Sequence, residues 1–430
     1  MAADMEMTSV VVVGAGPAGL GCAALLKQCS VECIVLERGR IGESFLQWPA
    51  ETRFISPSFT GNFFGSVDLN AVTPDSSPAY GLQTEHPNGE EYARYLNDVA
   101  TTTKIDVRTE VEVFDVAGAE AYKPGRPSSK AGANDTASPG AAAAAAPPDH
   151  GDDTMAMEGG HIDAGGHTHP DPEREYLGDF PEGGVELDSI PTIVVSTSKG
   201  AIGCKFFVWA GGEFQFPKSL PNTVRPKASY SEFPVGKHVI IGGSESGMDV
   251  ALNLIRNGSQ VTILDESAPW SKRVSDSSYG LSPRTLDHLK EIQRSGKATF
   301  LAERATEITE RTVTTPNRTI ALTHRAIDAT GFDIQQSLAG RLFDFEASGV
   351  PLLRSQDESS RFRNVFLSGP WVHHGKAVFC FVYKYRQRWA VIVRSILSRM
   401  GFGDPGPIRA YAARGFLLDD LSCCAQSCVC

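Results

Sequence analysis

The chain has 430 residues, 41% of them apolar and 21% charged, ordinary values for a globular protein with room for two or three domains. Lys and Arg number 40 against 51 Asp and Glu, a net charge of −11, which excludes a nucleic-acid-binding body built on a basic surface. No apolar run nears the roughly 20 residues of a membrane span. The start (MAADMEMTSVVVVGAG) is acidic, with no basic leader segment, so no secretory signal is expected. Nine cysteines are too sparse for a disulfide scaffold. The expectation is a soluble cytoplasmic protein that spans no membrane and binds no nucleic acid.

The first predicted unit covers residues 8–37. An apolar strand (TSVVVVGAG) leads through a glycine turn and an alanine-rich helix (AGLGCAALLKQCS) to a second strand (VECIVLE). The turn reads Gly14-Ala15-Gly16-Pro17-Ala18-Gly19. Its first glycine permits a tight turn, its second lets the backbone approach a pyrophosphate, and its third lets helix and strand pack closely. The phosphate then rests on the free amides of the helix N-terminus. Glu37 stands 23 positions after Gly14, where a carboxylate can accept both ribose hydroxyls of an adenosine. Cys22, Cys29 and Cys33 fall on this helix and strand and read as packing residues.

Residues 119–184 break the pattern. They hold a six-alanine run (141–146), eight prolines, no Val, one Leu and one Ile, too little branched apolar surface to offset the entropy of ordering, and so read as a disordered insertion. Twelve acids against four bases there carry most of the net charge. His150, His161, His167 and His169, with Met155 and Met157, fit a low-complexity tract better than a metal site.

Residues 238–265 (HVIIGGSESGMDVALNLIRNGSQVTILD) repeat the first unit. The turn is Gly242-Gly243-Ser244-Glu245-Ser246-Gly247, and Asp265 again stands 23 positions after the first glycine. Serine at the middle position is small enough for a pyrophosphate to approach. Asp265 favours the unphosphorylated ribose of NADH, whereas Lys272 and Arg273 suit the extra phosphate of NADPH, toward which the reading leans. Two βαβ units of equal length predict an α/β protein with two Rossmann-like dinucleotide-binding domains. The expected first domain is discontinuous (1–118, 185–237 and 326–422), the second (238–325) is inserted in it, and 423–430 is a cysteine-rich tail. From about residue 377 (AVFCFVYKYRQRWAVIVRSILSRM) the apolar spacing is helical, predicting a helix that closes on the first domain.

Two such units in this order resemble the two-dinucleotide-binding flavoproteins that hold FAD and use NAD(P)H. VWAGGEFQFP (208–217) and IDATGF (327–332), with Gly331, look like the crossover strands that join the two domains in that superfamily. NVFLSGPW (364–371), with Gly369, takes the place of the late Gly-Asp motif near the flavin's ribityl chain, Pro370 replacing the aspartate. ERGRIGESFLQWP (37–49) is similar to the segment lining the flavin in flavin-containing monooxygenases. Gly42, Ser44 and Trp48 match it, Glu43 departs from it, and Arg38 adjoins the adenosine acid. The resemblance implies FAD on the first loop (Gly14, Gly16, Pro17, Ala18, Gly19, Glu37, Arg38, Ser44, Trp48) and NADPH or NADH on the second (Gly242, Ser244, Glu245, Ser246, Gly247, Asp265).

The chain is also similar over its length to bacillithiol-disulfide-reductase-like proteins, which place a cysteine in the first glycine loop; Ala18 stands there here. Residues 238–325 contain no cysteine, unlike thioredoxin reductases. Monooxygenases of this kind carry a fingerprint with a histidine before the second loop, and 214–236 has none. The tail (DDLSCCAQSCVC) resembles the vicinal cysteine pair of mercuric reductases. Cys423 and Cys424 thus read as a thiol relay or soft-metal grip, with lipidation of Cys428 and Cys430 or an inert end as alternatives. His373 is a candidate proton carrier over the flavin, with His374 beside it and Cys380 a core residue. The implied reaction passes a hydride from NAD(P)H to FAD. The electrons then go to O₂ and a small-molecule substrate, as in a monooxygenase, or alternatively to a disulfide or metal ion through the C-terminal cysteines. The chain is compatible with a homodimer.

Overall fold

Four consecutive valines, Val10–Val13, suit a strand covered on both faces. In the computed structural model they form the buried half of β1 (Glu6–Val13). The structure describes residues 5–61, 64–122 and 189–422. The glycine turn feeds α1 (Pro17–Gln28), whose Pro17 occupies a position where a missing N–H costs nothing. The chain returns as β2 (Cys33–Leu36), parallel to β1 with Val10 opposite Cys33 and Val13 opposite Leu36. Then come α2 (Glu43–Leu46), α3 (Pro78–Leu82) and α4 (Gly89–Thr103). A capping box starts α4: the Asn88 side chain accepts from the Glu91 N–H, and the Glu91 carboxylate accepts from the Asn88 N–H, both at 2.8 Å.

Strands β3 (Asp106–Arg108), β4 (Val113–Ala117), β5 (Ile193–Thr197) and β6 (Gly200–Trp209) complete the first sheet in the order β3-β2-β1-β6-β5-β4. One edge of β6 is shared. Gly200–Cys204 pairs antiparallel with β5, and Phe207–Trp209 pairs parallel with a strand from far downstream, Val365–Leu367. The second sheet is parallel throughout. It contains β7 (Thr223–Val224), β8 (Lys237–Ile241), β9 (Gln260–Leu264), β10 (Ala298–Leu301) and β14 (Ala326–Asp328) in the order β10-β9-β8-β14-β7. Helix α5 (Glu245–Arg256) links β8 to β9, α6 (Pro283–Arg294) precedes β10, and an antiparallel trio, β11 (Glu307–Ile308), β12 (Thr312–Thr314) and β13 (Thr319–Ala321), precedes β14. The last part holds α7 (Ala339–Leu342), β15 (Asp344–Phe345) paired with β16 (Pro351–Leu352), β17 (Val365–Leu367), the hairpin β18 (His373–His374) and β19 (Ala377–Val378), α8 (Val382–Arg399) and α9 (Gly406–Ala413).

The expected α/β architecture with two dinucleotide-type sheets is therefore present. No described helix is long and apolar enough to cross a membrane. Ten of the twelve residues of α1 are buried, and α8 lies against it so closely that a Cβ at Gly21 would stand 2.3 Å from the Trp389 indole.

Two expectations are corrected. The closing helix begins at Val382, not near 377, because Gly375 (φ +57°) turns the preceding residues into the β18–β19 hairpin. Residues 119–122, assigned by composition to the insertion, belong to the fold: Ala121 bridges to Phe362 and the Tyr122 hydroxyl donates to Glu358 at 2.6 Å. A compositional window cannot register one tyrosine whose ring also lies 3.6 Å beneath the Arg354 guanidinium. The rest of the insertion, from residue 123 through the histidines, and the tail from Cys423 lie outside the described residues.

The C-terminal part is held by buried charges. Arg388 (1% exposed) donates Nε to Asp357 Oδ2 at 3.0 Å and Nη2 to Oδ1 at 2.8 Å, and His374 Nε2 donates to Oδ1 at 2.6 Å. Burial by itself would raise the Asp357 carboxyl, but Arg388 and His374 outweigh it and hold it below the usual aspartate range. Because its folded pKa is depressed, the stability it contributes is present above the unfolded value of about 3.9 and is lost as pH falls through the lower folded value. Asp357→Asn, which strands a buried guanidinium, is expected to cost about 3–5 kcal/mol in urea unfolding at neutral pH. The variant should also show a shallower loss of stability below about pH 4 than the parent.

Candidate functional site

The first glycine turn is shaped by contacts that admit no side chain. Gly14 has φ +106°, and a Cβ there would lie 2.4 Å from the Ala210 carbonyl oxygen; a Cβ on Gly19 would lie 1.9 Å from the Gly14 oxygen. Gly16 differs. Its backbone is extended, and a Cβ would meet no atom within 4 Å. It lines a cavity of about 310 Å³ whose wall includes Gly14, Pro17 and Ala18 of the turn, Leu36, Glu37 and Val111–Val113, and Glu213, Pro370 and Tyr385. The amides opening α1 border this space, so a pyrophosphate fits where Gly16 leaves room. That open position is the structural reason the loop suits a dinucleotide such as FAD.

Glu37 lines the same cavity. Its Oε2 accepts the Ala15 N–H and its Oε1 the Gly39 N–H, both at 2.8 Å. Burial raises its carboxyl even though these bonds pull the other way. Each oxygen keeps acceptor capacity for a ribose hydroxyl. Arg38 and Ser44 also line the cavity, tied together by Gln215, which accepts from Arg38 Nη2 and donates to Ser44 Oγ at 3.3 Å.

Trp48 does not line the cavity directly. It sits in an aromatic cluster with Phe45 (5.0 Å), Phe54 (5.3 Å) and Phe214 (5.5 Å), and its buried indole N–H has no partner among the described residues. Only through Phe45 and Phe214 does it back the cavity wall. Gly369 (φ +119°) brings its α-carbon against Ala18, where a Cβ would stand 3.3 Å from the Ala18 methyl, and Pro370 lines the cavity beyond it. Gly331 lies apart from the cavity, its carbonyl accepting the Lys218 N–H at 3.0 Å.

The second turn copies the first. Gly242 has φ +103°, with a Cβ 2.3 Å from the Ala329 oxygen, and a Cβ on Gly247 would lie 2.0 Å from the Gly242 oxygen. Asp265 Oδ2 accepts the Gly243 N–H at 2.8 Å, as Glu37 does at Ala15. Its Oδ1 accepts both the backbone N–H and the hydroxyl of Ser267, at 2.9 and 2.7 Å. Ser244 and Ser246 are exposed at the start of α5, free to meet a phosphate. Glu245 is not: its carboxylate turns to α6, accepting the Ser282 N–H at 2.6 Å and the Ser282 and Thr285 hydroxyls. Lys272 and Arg273 are exposed. Trp270 lies against the turn, its ring 2.5 Å from where a Gly243 Cβ would be.

The remaining candidates separate. His373 is half-buried in the β18–β19 hairpin beside Trp371, and burial lowers its pKa, so it is neutral near pH 7. Its neighbour His374 serves Asp357. Neither borders the cavity. Cys380 is not a sealed core residue: its Sγ lies 3.1 Å from Ser278 Oγ. Cys22 and Cys33 are buried, and burial pushes the Cys33 thiol up to about 12 and that of half-buried Cys29 to about 11, which makes them inert packing groups. Cys423 and Cys424 lie outside the described residues.

Sequence reasoning did not single out Glu213 or Tyr385, both in the cavity wall. An acid directly after Gly211-Gly212 at the end of a crossover strand was the available signal.

The sequence pattern of the pyridine nucleotide-disulphide oxidoreductase family matches residues 11–122 and 188–369. Among solved structures, the bacillithiol disulfide reductase of Staphylococcus aureus is 17% identical over 92% of this chain and 99% of its own, with a TM-score of 0.61. The flavin-containing monooxygenase of Stenotrophomonas maltophilia is 13% identical over 91% and 98%, with a TM-score of 0.54. The thioredoxin reductase of Lactococcus lactis is 13% identical over 92% and 99%, with a TM-score of 0.55. At these identities the likeness is one of fold.

The two kinds of glycine separate folding from ligand binding. Gly14→Ala should lower stability by about 3 kcal/mol or more in urea unfolding, through left-handed strain and the clash with Ala210. Gly16→Val should leave the unfolding midpoint nearly unchanged yet weaken FAD binding, measured by fluorescence titration, by about tenfold or more, equivalent to at least ~1.4 kcal/mol.

Proposed function

The chain belongs to the pyridine nucleotide-disulphide oxidoreductase family, and from that premise we propose that it is an FAD-dependent NAD(P)H oxidoreductase of monooxygenase-like type acting on a small-molecule substrate. The supporting observation is the cavity on the first glycine turn. It has an acid for the adenosine, the open Gly16 position, and no cysteine among its lining residues. Ala18 stands where a redox thiol of the reductase kind would be.

In this reading Gly14–Gly19 and Glu37 hold FAD, with Arg38 and Ser44 on the adenosine side and Gly369 and Pro370 on the ribityl side. The second turn, with Ser244, Ser246 and Gly247, holds the nicotinamide donor, and Asp265 orders that turn through Gly243. FAD when bound supplies hydride acceptance and electron storage; the protein supplies orientation and the exclusion of water. Asp265 already accepts three hydrogen bonds, while Lys272 and Arg273, seven and eight residues further on, are exposed. This favours NADPH, whose added phosphate those cations receive.

A second reading rests on Cys423, Cys424, Cys428 and Cys430 within eight residues: electrons pass to a disulfide or soft metal ion through the tail. One experiment separates the two. The purified protein should be yellow and bleach anaerobically with NADPH. Rapid recolouring with oxygen, unchanged in a Cys423→Ser/Cys424→Ser double variant, is the expected result. Recolouring by a small disulfide or mercuric salt that the double variant abolishes would establish the relay instead.

A further inference from the structure

Glu37 in the cavity wall marks the adenosine. Glu213, Pro370 and Tyr385 line the same cavity, Pro370 following Gly369, which packs on Ala18 at the start of α1; on the flavin reading this wall faces the ribityl and isoalloxazine part. Two polar groups in that wall, the Glu213 carboxyl and the Tyr385 hydroxyl, have no hydrogen-bond or ion-pair partner among the described residues. Tyr385 is 5% exposed. Glu213 is only half-buried and neither its carboxyl nor the Tyr385 hydroxyl is sealed away without a partner, so both are open to a ligand in the cavity.

The neighbouring charges do not satisfy the acid. The Cys380 thiol and the Tyr385 phenol feel the Glu213 charge. The nearby cation, Lys384, is engaged elsewhere: it pairs with Asp276 and donates to Ser278 Oγ at 2.7 Å. Glu213 is thus a carboxyl in the cavity wall without a counter-ion among the described residues.

Resting on the flavin reading, we propose that Glu213, with Tyr385 beside it, is the proton-carrying residue of this site. A hydride from the nicotinamide brings two electrons and one proton; neutral two-electron-reduced flavin needs one proton more. The Glu213 O–H bond breaks to supply that proton, leaving a carboxylate. When the electron pair leaves for the acceptor both protons go with it, and the carboxylate is reprotonated from solvent, so that one NAD(P)H and one solvent proton are consumed per turn and the cycle closes. Burial pushes the Glu213 carboxyl up to about 7, so both of its forms are present at neutral pH.

The test is a spectroscopic redox titration of the FAD-loaded protein from about pH 5 to about pH 9, spanning the titration of the acid. The plot of midpoint potential against pH should change slope near neutrality in the parent protein. Glu213→Gln should lose that break and Glu213→Asp should keep one displaced toward lower pH. A break retained in a Glu213→Gln protein that binds FAD overturns the proposal while leaving the flavin reading intact. Failure of the parent to bind FAD overturns both. Carboxyl ¹³C NMR of the parent protein gives a check independent of the variants: titration of Glu213 in the ordinary range near about 4.3 also overturns the proposal.

Discussion

Both sheets are organised around one constraint: a peptide turn pressed against a crossover strand so tightly that no β-carbon fits between them. In the first sheet the partners are Gly14 and Ala210, which follows β6; in the second they are Gly242 and Ala329, which follows β14. The Ala210 N–H donates to the Val13 carbonyl, and the Ala329 N–H to the Ile241 carbonyl, each at 2.8 Å. These bonds pin each crossover to the strand that enters the turn. Everything useful about the loops, their aimed amides and their open middle positions, depends on that contact being made first.

Local chemistry was legible in the sequence because its causes are local. Gly14 and Glu37, and likewise Gly242 and Asp265, are fixed by the reach of one strand, one turn and one helix, so spacing located them. What spacing could not say was where a side chain spends its hydrogen bonds. Glu245 reads as part of a phosphate loop, yet its carboxylate caps α6 because Ser282 and Thr285 arrive there from 37 and 40 residues downstream. Trp48 and His373 stand outside the cavity lining for the same reason: Phe214 and the β18–β19 turn, which decide their surroundings, are set by tertiary contacts. Glu213 had a local signal in its place directly after Gly211-Gly212, but its company in the cavity wall, Tyr385 of α8, is set by tertiary contacts.

The C-terminal part is unusual in relying on charges inside the core. Besides Arg388 and Asp357, Arg399 forms a pair with Glu358, which also accepts from Tyr122 and from the Asn364 N–H at 2.6 Å. Arg386 is turned toward the carbonyls of Asp68, Leu69 and Ala71. Such groups contribute less to stability than apolar residues of equal size would, but the Arg388–Asp357 and Arg399–Glu358 pairs are satisfied in only one arrangement. On α8 this gives a single seating against α1, the helix whose N-terminus opens the cavity.

The divided edge of β6 bears on how the chain is made. Phe207–Trp209 must wait for Val365–Leu367, and at the roughly 5–20 residues per second of protein synthesis that interval is about ten to thirty seconds. During it, a nascent chain displays an apolar ribbon with unsatisfied amides, the kind of surface that chaperones recognise and that other nascent chains can adhere to. Completion of the first sheet is therefore tied to the ribosome's progress, and the inserted second sheet is translated in full while the first still lacks a strand.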